Sequence, residues 1–334
     1  MPDQPESLCP LCRSANLAAR YRIRIPELGE RTVAECVRCE YGCVVPTPTL
    51  EELERFYSKE YFEGEPGGRG FADYLGKPYV RKGEGWLAGR RLKREKPMGR
   101  VLEVGCGSAH FLRGVAETSG WEAFGTDLSA HIIEQAGREP GLQLFCGELA
   151  EAHFPPAHFE AVFLRNVLEH VPDPVALVGE VRRVLARGGL LWLLVPNGYT
   201  ETAPFAAANR QGRETENLQG HLNFFPPVCL LTWLQRSGFQ VEQIYTLGLK
   251  RGLFELGYLP RAWKVSQRRK PETTSSPVTA PLPAPPLVAP PPPEGWKHTL
   301  AYAHLRRFLK SSLKLPLWLP LGQELHAVVR LSAK

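Results

Sequence analysis

The sequence has no apolar stretch that approaches the ~18 residues needed to span a bilayer. Residues 1–12, MPDQPESLCPLC, have no basic start followed by an apolar run, so we expect no secretory signal peptide. These absences predict a cytoplasmic protein, in which cysteines stay reduced. The chain also lacks a strong charge of one sign, because 41 basic and 35 acidic residues leave a net charge of +6. Such a diffuse excess does not by itself indicate nucleic-acid binding.

A glycine-rich turn is the most informative feature that the sequence does have. Gly105 and Gly107 follow a predicted strand at residues 100–104 and precede a predicted helix at residues 109–119. Glycine lets a backbone approach a ligand closely, and the start of a helix attracts polar groups. Asp127 lies 20 residues after Gly107, where a doubly wound fold places the carboxylate that holds a ribose. The pattern predicts a site for an adenosine-containing cofactor.

One missing glycine narrows the class of cofactor. The dinucleotide fingerprint G-x-G-x-x-G requires glycine at the position occupied by His110. Glu103 is also unexpected beside a pyrophosphate, because a carboxylate repels phosphate, whereas it suits a ligand with a positively charged end. The segment EVGCG, residues 103–107, resembles the first motif of class I S-adenosylmethionine-dependent methyltransferases. In that family the glycine turn lies against the methionine part of the cofactor, and an acid placed like Asp127 binds the ribose hydroxyls.

Later segments continue the resemblance in order. A predicted strand at residues 142–145 leads to Glu148, where the family more commonly has Asp approaching the adenine amino group. A buried strand at residues 159–164 is followed by NVLEHVPDP, which begins at Asn166 and resembles the family's segment after its fourth strand. The resemblance implies that S-adenosyl-L-methionine binds to Glu103, Gly105, Cys106, Gly107, Asp127, Leu128, Glu148, Leu149 and Asn166.

The order of these elements predicts an α/β fold, a Rossmann-like doubly wound seven-stranded methyltransferase sheet with a small N-terminal zinc ribbon. An amphipathic helix is expected at residues 175–185, stopped by Gly188 and Gly189. An unbroken apolar run at residues 190–195 predicts a fifth strand that is covered on both faces. Residues 199–219 are expected to form a long connecting segment.

Two C-x-x-C pairs near the start of the chain predict a metal site. Cys9 and Cys12 are separated from Cys36 and Cys39 by 23 residues, slightly more than the quoted zinc-ribbon spacing. Four thiolates on two tight turns suit a structural, tetrahedral Zn²⁺. A disulfide pair and a redox C-x-x-C are alternatives that a reducing compartment and two matched turns disfavour. Together with residues 44–62, the pairs resemble a bacterial methyltransferase subfamily with an N-terminal zinc ribbon, which acts on sugars, glycans and natural products.

Two histidines are the candidate catalytic residues. His221 lies in GHLNFFPP after the fifth strand, and a loop there is expected over the carboxyl edge of the sheet. Methyl transfer from a sulfonium requires that the acceptor be aligned and lose a proton, which a histidine of near-neutral pKa can remove. His170, in LEH, is the second candidate. For each histidine a structural role remains the alternative.

The chain divides into five expected parts. They are a zinc ribbon and aromatic helix (1–62, with Thr49 and Glu52 as a capping box), a glycine-rich joint (63–78), a methyltransferase core (79–250), an insertion (251–320) and a final core strand (321–334). The insertion has a proline-rich linker at 270–294 and a basic amphipathic helix at 296–315. We expect that helix to pack on the core, with peripheral membrane contact as the alternative.

The predicted function is methyl transfer from S-adenosyl-L-methionine to a small-molecule acceptor, such as a sugar, nucleotide-sugar, glycan or natural-product intermediate. The alternative is an RNA or protein methyltransferase that recognises its substrate through the ribbon. Nucleic acid is the less favoured partner, because the ribbon is acidic at both ends and has no clustered aromatic and basic face. The sequence assigns no oligomeric state.

Overall fold

The structure is a computed structural model that describes residues 8–56, 78–136, 141–248 and 321–332. Within these residues the chain forms one seven-stranded sheet and one four-stranded sheet. Three expected features lie outside the described residues: the joint apart from its last residue, the proline-rich linker and the helix at 296–315.

The helices and strands follow in chain order. The strands are β1 (Leu17–Ile25), β2 (Gly29–Cys36), β3 (Gly42–Val45), β4 (Arg100–Val104), β5 (Glu122–Asp127), β6 (Leu142–Cys146), β7 (Phe159–Arg165), β8 (Leu185–Pro196), β9 (Asn223–Phe224), β10 (Phe239–Leu247) and β11 (Glu324–Leu331). The helices are α1 (Leu50–Phe56), α2 (Pro78–Glu95), α3 (His110–Ser119), α4 (Ala130–Ala136), α5 (Pro174–Val184), α6 (Gly198–Arg210) and α7 (Pro227–Arg236).

The larger sheet has the strand order β10-β11-β8-β7-β4-β5-β6. Strands β4 to β8 run parallel, whereas β11 pairs antiparallel with both β8 and β10. The central strands β4 and β7 carry side chains that are buried on both faces, which explains their nearly continuous apolar sequence. The predicted Rossmann-like fold is confirmed. Among the described helices, none combines the length and apolar character that crossing a membrane requires.

The smaller sheet has the order β1-β2-β3-β9, and its last strand comes from a distant part of the sequence. Strands β1, β2 and β3 form an antiparallel meander that carries the four cysteines near its ends. Strand β9 is the NF of HLNFF and pairs with Gly42 and Cys43 of β3. A segment that the sequence places in the methyltransferase core therefore completes the ribbon's sheet.

The capping box at the start of α1 is confirmed. The backbone N–H of Glu52 donates to Thr49 Oγ1 at 3.2 Å, and the Thr49 N–H donates to Glu52 Oε2 at 2.9 Å. These reciprocal bonds satisfy two of the donors that every helix start leaves unpaired.

The helix expected at residues 175–185 is confirmed as α5, but the expected stop at the glycine pair is wrong. Helix α5 ends at Val184, ahead of the glycine pair, because Leu185 donates its N–H to Val181 and then turns to an extended conformation at φ −78° and ψ 131°. Gly188 and Gly189 lie within β8 instead. The expected connecting segment at 199–219 begins with α6, whose N-cap Asn197 accepts from the Tyr199 N–H at 3.2 Å.

Glycines set the distance between α2 and α3. A Cβ added to Gly114 would lie 2.1 Å from the carbonyl oxygen of Lys82, and one added to Gly85 would lie 2.0 Å from the carbonyl oxygen of Phe111. The two helices consequently meet backbone to backbone. Helix α3 follows β4 directly, so this contact also holds the start of α3 against the sheet.

We predict that Gly114→Ala destabilises the fold by about 1–3 kcal/mol, because overpacking must push the two helices apart. Gly179→Ala is the matched control, since an added Cβ in the exposed middle of α5 meets nothing within 4 Å in the described structure. It should stabilise the chain by about 0.5–1 kcal/mol through helix propensity. Denaturant unfolding of both variants is the measurement, and equal stability of the two would contradict the close contact.

Candidate active site

The glycine turn lies between the end of β4 and the start of α3. Gly105 and Gly107 have positive φ values of 66° and 53°, a backbone conformation that side chains disfavour. A Cβ on Gly105 would come within 2.5 Å of Val167 Cγ2, on the loop after β7. The turn thus leaves a narrow space that only glycine fits. Cys106 between them is buried, and its N–H donates to the carbonyl of Thr126 at 2.9 Å.

Asp127 ends β5 beside this turn. Its Oδ2 accepts from the Gly107 N–H at 2.9 Å, and its Oδ1 accepts from the Ser129 N–H at 3.0 Å. Burial raises the pKa of Asp127, while these two bonds oppose the shift. Each carboxylate oxygen keeps a second lone pair, so the group can still accept hydroxyl donors. The next side chain, Leu128, is 62% exposed and offers an apolar surface at the same edge.

Glu103 is a buried acid with an unmet hydrogen-bonding requirement. Its side chain is 3% exposed, and no donor in the described part of the chain reaches Oε2. The other oxygen, Oε1, lies 3.7 Å from Nη1 of Arg165, which also pairs with Glu84 at 2.7 Å. Burial raises the pKa of Glu103 to about 7, although Arg165 favours the ionised form. A buried acid of this kind fits a ligand that brings a cationic group.

The remaining expected cofactor residues lie at the ends of neighbouring strands. Cys146 is opposite Asp127 in the β5–β6 register, and the Gly147 N–H donates to the Asp127 carbonyl at 2.9 Å. Glu148 is exposed and Leu149 is buried. Asn166 follows β7, is exposed and has a φ of 55°. Because β4 to β7 are parallel, all nine expected cofactor residues lie along one carboxyl edge of the sheet.

The two candidate catalytic histidines are brought together, each with an acid beside it. The rings of His170 and His221 meet edge to face with centroids 4.8 Å apart. His221 Nδ1 lies 2.7 Å from Oε2 of Glu201 on α6, and His170 Nε2 lies 4.0 Å from Oε1 of Glu169. Glu169 Oε2 is buried without a hydrogen-bond partner among the described residues. We call these four residues the acid–histidine cluster.

The cluster divides into groups with opposite pKa shifts. Burial raises the pKa of Glu169 to about 7, and burial together with the charge on His221 lowers that of His170. Burial alone would lower the pKa of His221, but Glu201 and Glu169 outweigh it, so the pKa of His221 is raised. The shifts thus favour the imidazolium form of His221, beside Glu201, and the neutral form of His170.

The four expected zinc ligands form a second cluster. Cys9 and Cys39 have sulfurs 3.6 Å apart, those of Cys12 and Cys36 are 3.5 Å apart, and all four lie within 4.8 Å of one another. A tetrahedron with Zn–S bonds of about 2.3 Å has an edge of about 3.8 Å, so these side chains fit a zinc ion.

The two knuckles share one backbone geometry. The Cys9 carbonyl accepts from the Arg13 N–H and the Cys36 carbonyl accepts from the Glu40 N–H, both at 2.8 Å. Arg13 and Glu40 also have matching positive φ values of 61° and 62°. Two turns built alike and facing one another are what ligation by a single ion requires.

Comparison with known proteins agrees with this geometry. A family model described as a methyltransferase domain matches residues 86–244. A ubiquinone biosynthesis O-methyltransferase from Xanthomonas axonopodis is 31% identical over 163 residues, which cover 45% of this chain and 67% of the relative. The chain belongs to the class I S-adenosylmethionine-dependent methyltransferases. The methyltransferase match includes the glycine turn, Asp127 and the acid–histidine cluster.

The chain spans less than two thirds of the length of two other relatives that it matches. A ubiquinone biosynthesis O-methyltransferase from Xylella fastidiosa is 29% identical over 157 residues, or 43% of this chain and 62% of that protein. A probable S-adenosylmethionine-dependent methyltransferase from Mycolicibacterium smegmatis is 31% identical over 153 residues, or 46% of this chain and 55% of that protein. An S-adenosylmethionine-dependent methyltransferase from Mesorhizobium loti has a TM-score of 0.41 and 16% identity, covering 70% of this chain and 90% of that one.

Sequence reasoning missed three side chains of the candidate site. Glu201 lies on a helix that was not expected, so nothing placed it near His221. Glu169 stood in the LEH motif beside His170, and its burial was the missing information. Arg165, next to Asn166, is now seen to reach Glu103.

We predict that Glu201→Gln lowers the pKa of His221, because it removes the charge that favours the imidazolium. The pKa of His221 is raised in the folded chain, so the Glu201–His221 pair stabilises fully below about pH 6.5 and less as pH rises through the folded pKa. The variant should lose about 1–3 kcal/mol of unfolding free energy at about pH 5.5, and less at about pH 9. NMR titration of the ring and denaturant unfolding measure the two effects.

Glu180→Gln is the matched control for this prediction. Glu180 pairs with Arg183 at 2.6 Å, and arginine keeps its charge at both pH values. The loss of unfolding free energy in Glu180→Gln should be small, because the pair is exposed, and it should be the same at both pH values. An equal loss for Glu201→Gln at the two pH values would contradict a raised pKa of His221.

Proposed function

We propose that this chain transfers a methyl group from S-adenosyl-L-methionine to a small-molecule acceptor. The observation that carries the proposal is the glycine turn bonded to Asp127, with the unpartnered buried oxygen of Glu103 beside it. A sulfonium cofactor has both features that these groups suit, a ribose diol and a cationic methionine end. Two of the relatives are named for O-methylation in ubiquinone biosynthesis, which supports a small acceptor.

Each expected cofactor residue has a proposed role. The turn of Gly105, Cys106 and Gly107 admits the methionine part, and Glu103 offsets its positive charge. Asp127 accepts the ribose hydroxyls on the lone pairs that the backbone leaves free. The adenine lies by Leu128, with Glu148, Leu149 and Asn166 around the same edge. When bound, the cofactor supplies an electrophilic methyl group, so the protein need only align the acceptor and manage its proton.

His221 and His170 are the proposed catalytic residues at the acceptor end. Glu201 fixes the His221 ring through Nδ1, which leaves Nε2 directed away from that carboxylate. The neighbouring His170 is neutral, so it can accept a proton that the acceptor loses in the displacement. The side chain of His170 is 15% exposed and that of His221 is 4% exposed, so His170 is the member open to an acceptor.

The finer acceptor class that we propose is a hydroxylated sugar, glycan or natural-product intermediate, in keeping with the subfamily that the ribbon resembles. An RNA or protein substrate recognised by the ribbon is the alternative. The ribbon's β1 edge is bonded to the same chain through Asn209, and its β9 edge is itself part of the catalytic region. This arrangement leaves the ribbon's sheet edges occupied, which favours the small acceptor.

We further propose that Cys9, Cys12, Cys36 and Cys39 hold one structural Zn²⁺. A ribbon of this size buries little core, so a metal that crosslinks its two knuckles supplies stability that packing does not. The sulfur separations and the matched knuckle backbones support this assignment.

Replacing Gly105 tests the cofactor site. Gly105→Ala adds a Cβ 2.5 Å from Val167 at a left-handed φ, and we expect the Kd for S-adenosyl-L-methionine to rise by at least about tenfold in calorimetry. Gly188→Ala has a similar φ of 70°, but its Cβ meets nothing within 4 Å in the described structure. It should keep the Kd within about twofold. Equal affinity of both variants for S-adenosyl-L-methionine would contradict the assignment of the turn to the cofactor site.

An acceptor assay separates the two proposed substrate classes. With methyl-labelled cofactor, we expect label on small phenols or sugar nucleotides, and none on bulk RNA or protein. His170→Ala, which removes the proposed proton acceptor, should lower kcat by about 10²- to 10⁴-fold without changing cofactor affinity. His158→Ala is the control, because that ring packs on Phe124 at the opposite, amino end of β7. Salt-sensitive labelling of RNA would instead support the alternative.

A further inference from the structure

The ribbon is hydrogen-bonded to the segment that carries His221, and that segment is hydrogen-bonded to the loop that carries His170. Strand β9, two residues beyond His221, pairs with β3, and the Val44 N–H donates to the Leu222 carbonyl at 2.9 Å. On the other side, the N–H groups of Leu222 and Asn223 donate to the Glu169 carbonyl at 2.6 and 3.1 Å. The His221 segment is therefore held between the ribbon and the loop that carries His170.

The side chain of Asn223 extends this connection. It is 5% exposed, and its Nδ2 donates to the carbonyls of Leu168 at 2.8 Å and Val171 at 2.7 Å. These two carbonyls flank the Glu169–His170 pair. Its Oδ1 accepts a hydrogen bond from the hydroxyl of Tyr41, a fully buried residue of the ribbon. One amide thus links the ribbon directly to the loop of His170.

Tyr41 also belongs to the second cysteine knuckle. It follows Cys39 by two residues, and its carbonyl accepts from the Cys36 N–H at 2.9 Å. The position of the phenol is consequently fixed by the same turn that carries two of the four cysteines. A continuous path of bonds runs from the knuckle through Tyr41 and Asn223 to the loop of His170.

Apart from Asn166, which lies on the loop of His170, the cofactor end of the site draws on other elements. The Gly107–Asp127 bond joins the ends of β4 and β5, which belong to the larger sheet and pair with β6 and β7. The ribbon strands belong to the smaller sheet. A change in the ribbon should therefore reach the histidines and leave the Gly107–Asp127 pair of the cofactor end in place.

We propose that Tyr41 and Asn223 are positioning residues through which the metal-loaded ribbon sets the geometry of the His170–His221 pair. Occupancy of the cysteine site then governs turnover and leaves cofactor affinity unchanged. The inference rests on the proposed function in that turnover is methyl transfer. It assigns the ribbon an internal task, that of ordering the acceptor end of the site.

The experiment compares the full chain as purified, after zinc removal by a chelator, and after zinc is restored. Native mass spectrometry should find one zinc per chain as purified. Removal should lower kcat by at least about tenfold and shift the ring resonances of His170 and His221, with both effects reversed by added zinc. The calorimetric Kd for S-adenosyl-L-methionine should stay within about twofold. A chain that holds no zinc, or that loses cofactor affinity in parallel with kcat, overturns the proposal.

A pair of tyrosine variants tests the path itself. Tyr41→Phe removes only the hydroxyl that bonds Asn223, and should lower kcat by about tenfold with zinc retained and cofactor KM unchanged. Tyr199→Phe is the matched control, because the Tyr199 hydroxyl also bonds the ribbon, at Glu40 Oε2, but does not touch Asn223. It should keep the kcat and ring resonances of the parent. Unchanged kcat and resonances in Tyr41→Phe overturn the path.

Failure of the proposed function is distinguishable from failure of this inference. If no methyl transfer is seen with any acceptor, the ring resonances still report the coupling. Their shift on zinc removal and in Tyr41→Phe supports the positioning path and places the error in the reaction assigned. The other case is a parent chain that holds zinc, binds the cofactor and is active. If zinc removal and Tyr41→Phe then leave both its activity and the ring resonances unchanged, the error lies in the path.

Discussion

The buried amide of Asn223 is the contact on which the acceptor end of this molecule depends. It joins the ribbon's Tyr41 to the backbone carbonyls of Leu168 and Val171, three parts of the chain that are far apart in sequence. The bonds to Tyr41 and Leu168 are buried, so breaking either one leaves a polar group unpaired in the interior at a cost of about 1–3 kcal/mol. The ribbon, the loop after β7 and the segment before α7 are therefore interdependent in position.

The two ends of the candidate site are built by different means. The cofactor end is local, since Gly107 and Asp127 are 20 residues apart in one strand–helix–strand unit and meet through a backbone hydrogen bond. The acceptor end is assembled from remote pieces, because His170 follows β7, Glu201 lies on α6 and His221 precedes β9. We therefore expect a mutation in the ribbon to affect the acceptor end more than the Gly107–Asp127 pair.

This difference explains what could be predicted from the sequence. The parallel sheet, the glycine turn and Asp127 depend on short-range patterns, and the cysteine pairs carry their own spacing rule. Strand β9 has only two residues, and its partner β3 lies about 180 residues earlier, so no local pattern could reveal the pairing. Helix α6 was not predicted because it contains Pro204, and proline usually ends a helix. Without the helix, the position of Glu201 could not be predicted either.

A metal-crosslinked ribbon has a physical advantage as a brace for such a loop. The chain between α6 and α7 contains only β9 as regular structure, which is too short to hold His221 by its own pairing. Pairing with β3 adds a sheet neighbour, but a small ribbon would transmit its own fluctuations to the loop unless it were rigid. The ion that we propose would supply that rigidity by crosslinking both knuckles, without a large core. Because β1 is also bonded to Asn209 at the end of α6, the ribbon spans the loop from both sides. A rigid element fixed at both edges limits the positions that the two histidines can adopt, and that restriction is what an aligned displacement at a methyl group requires.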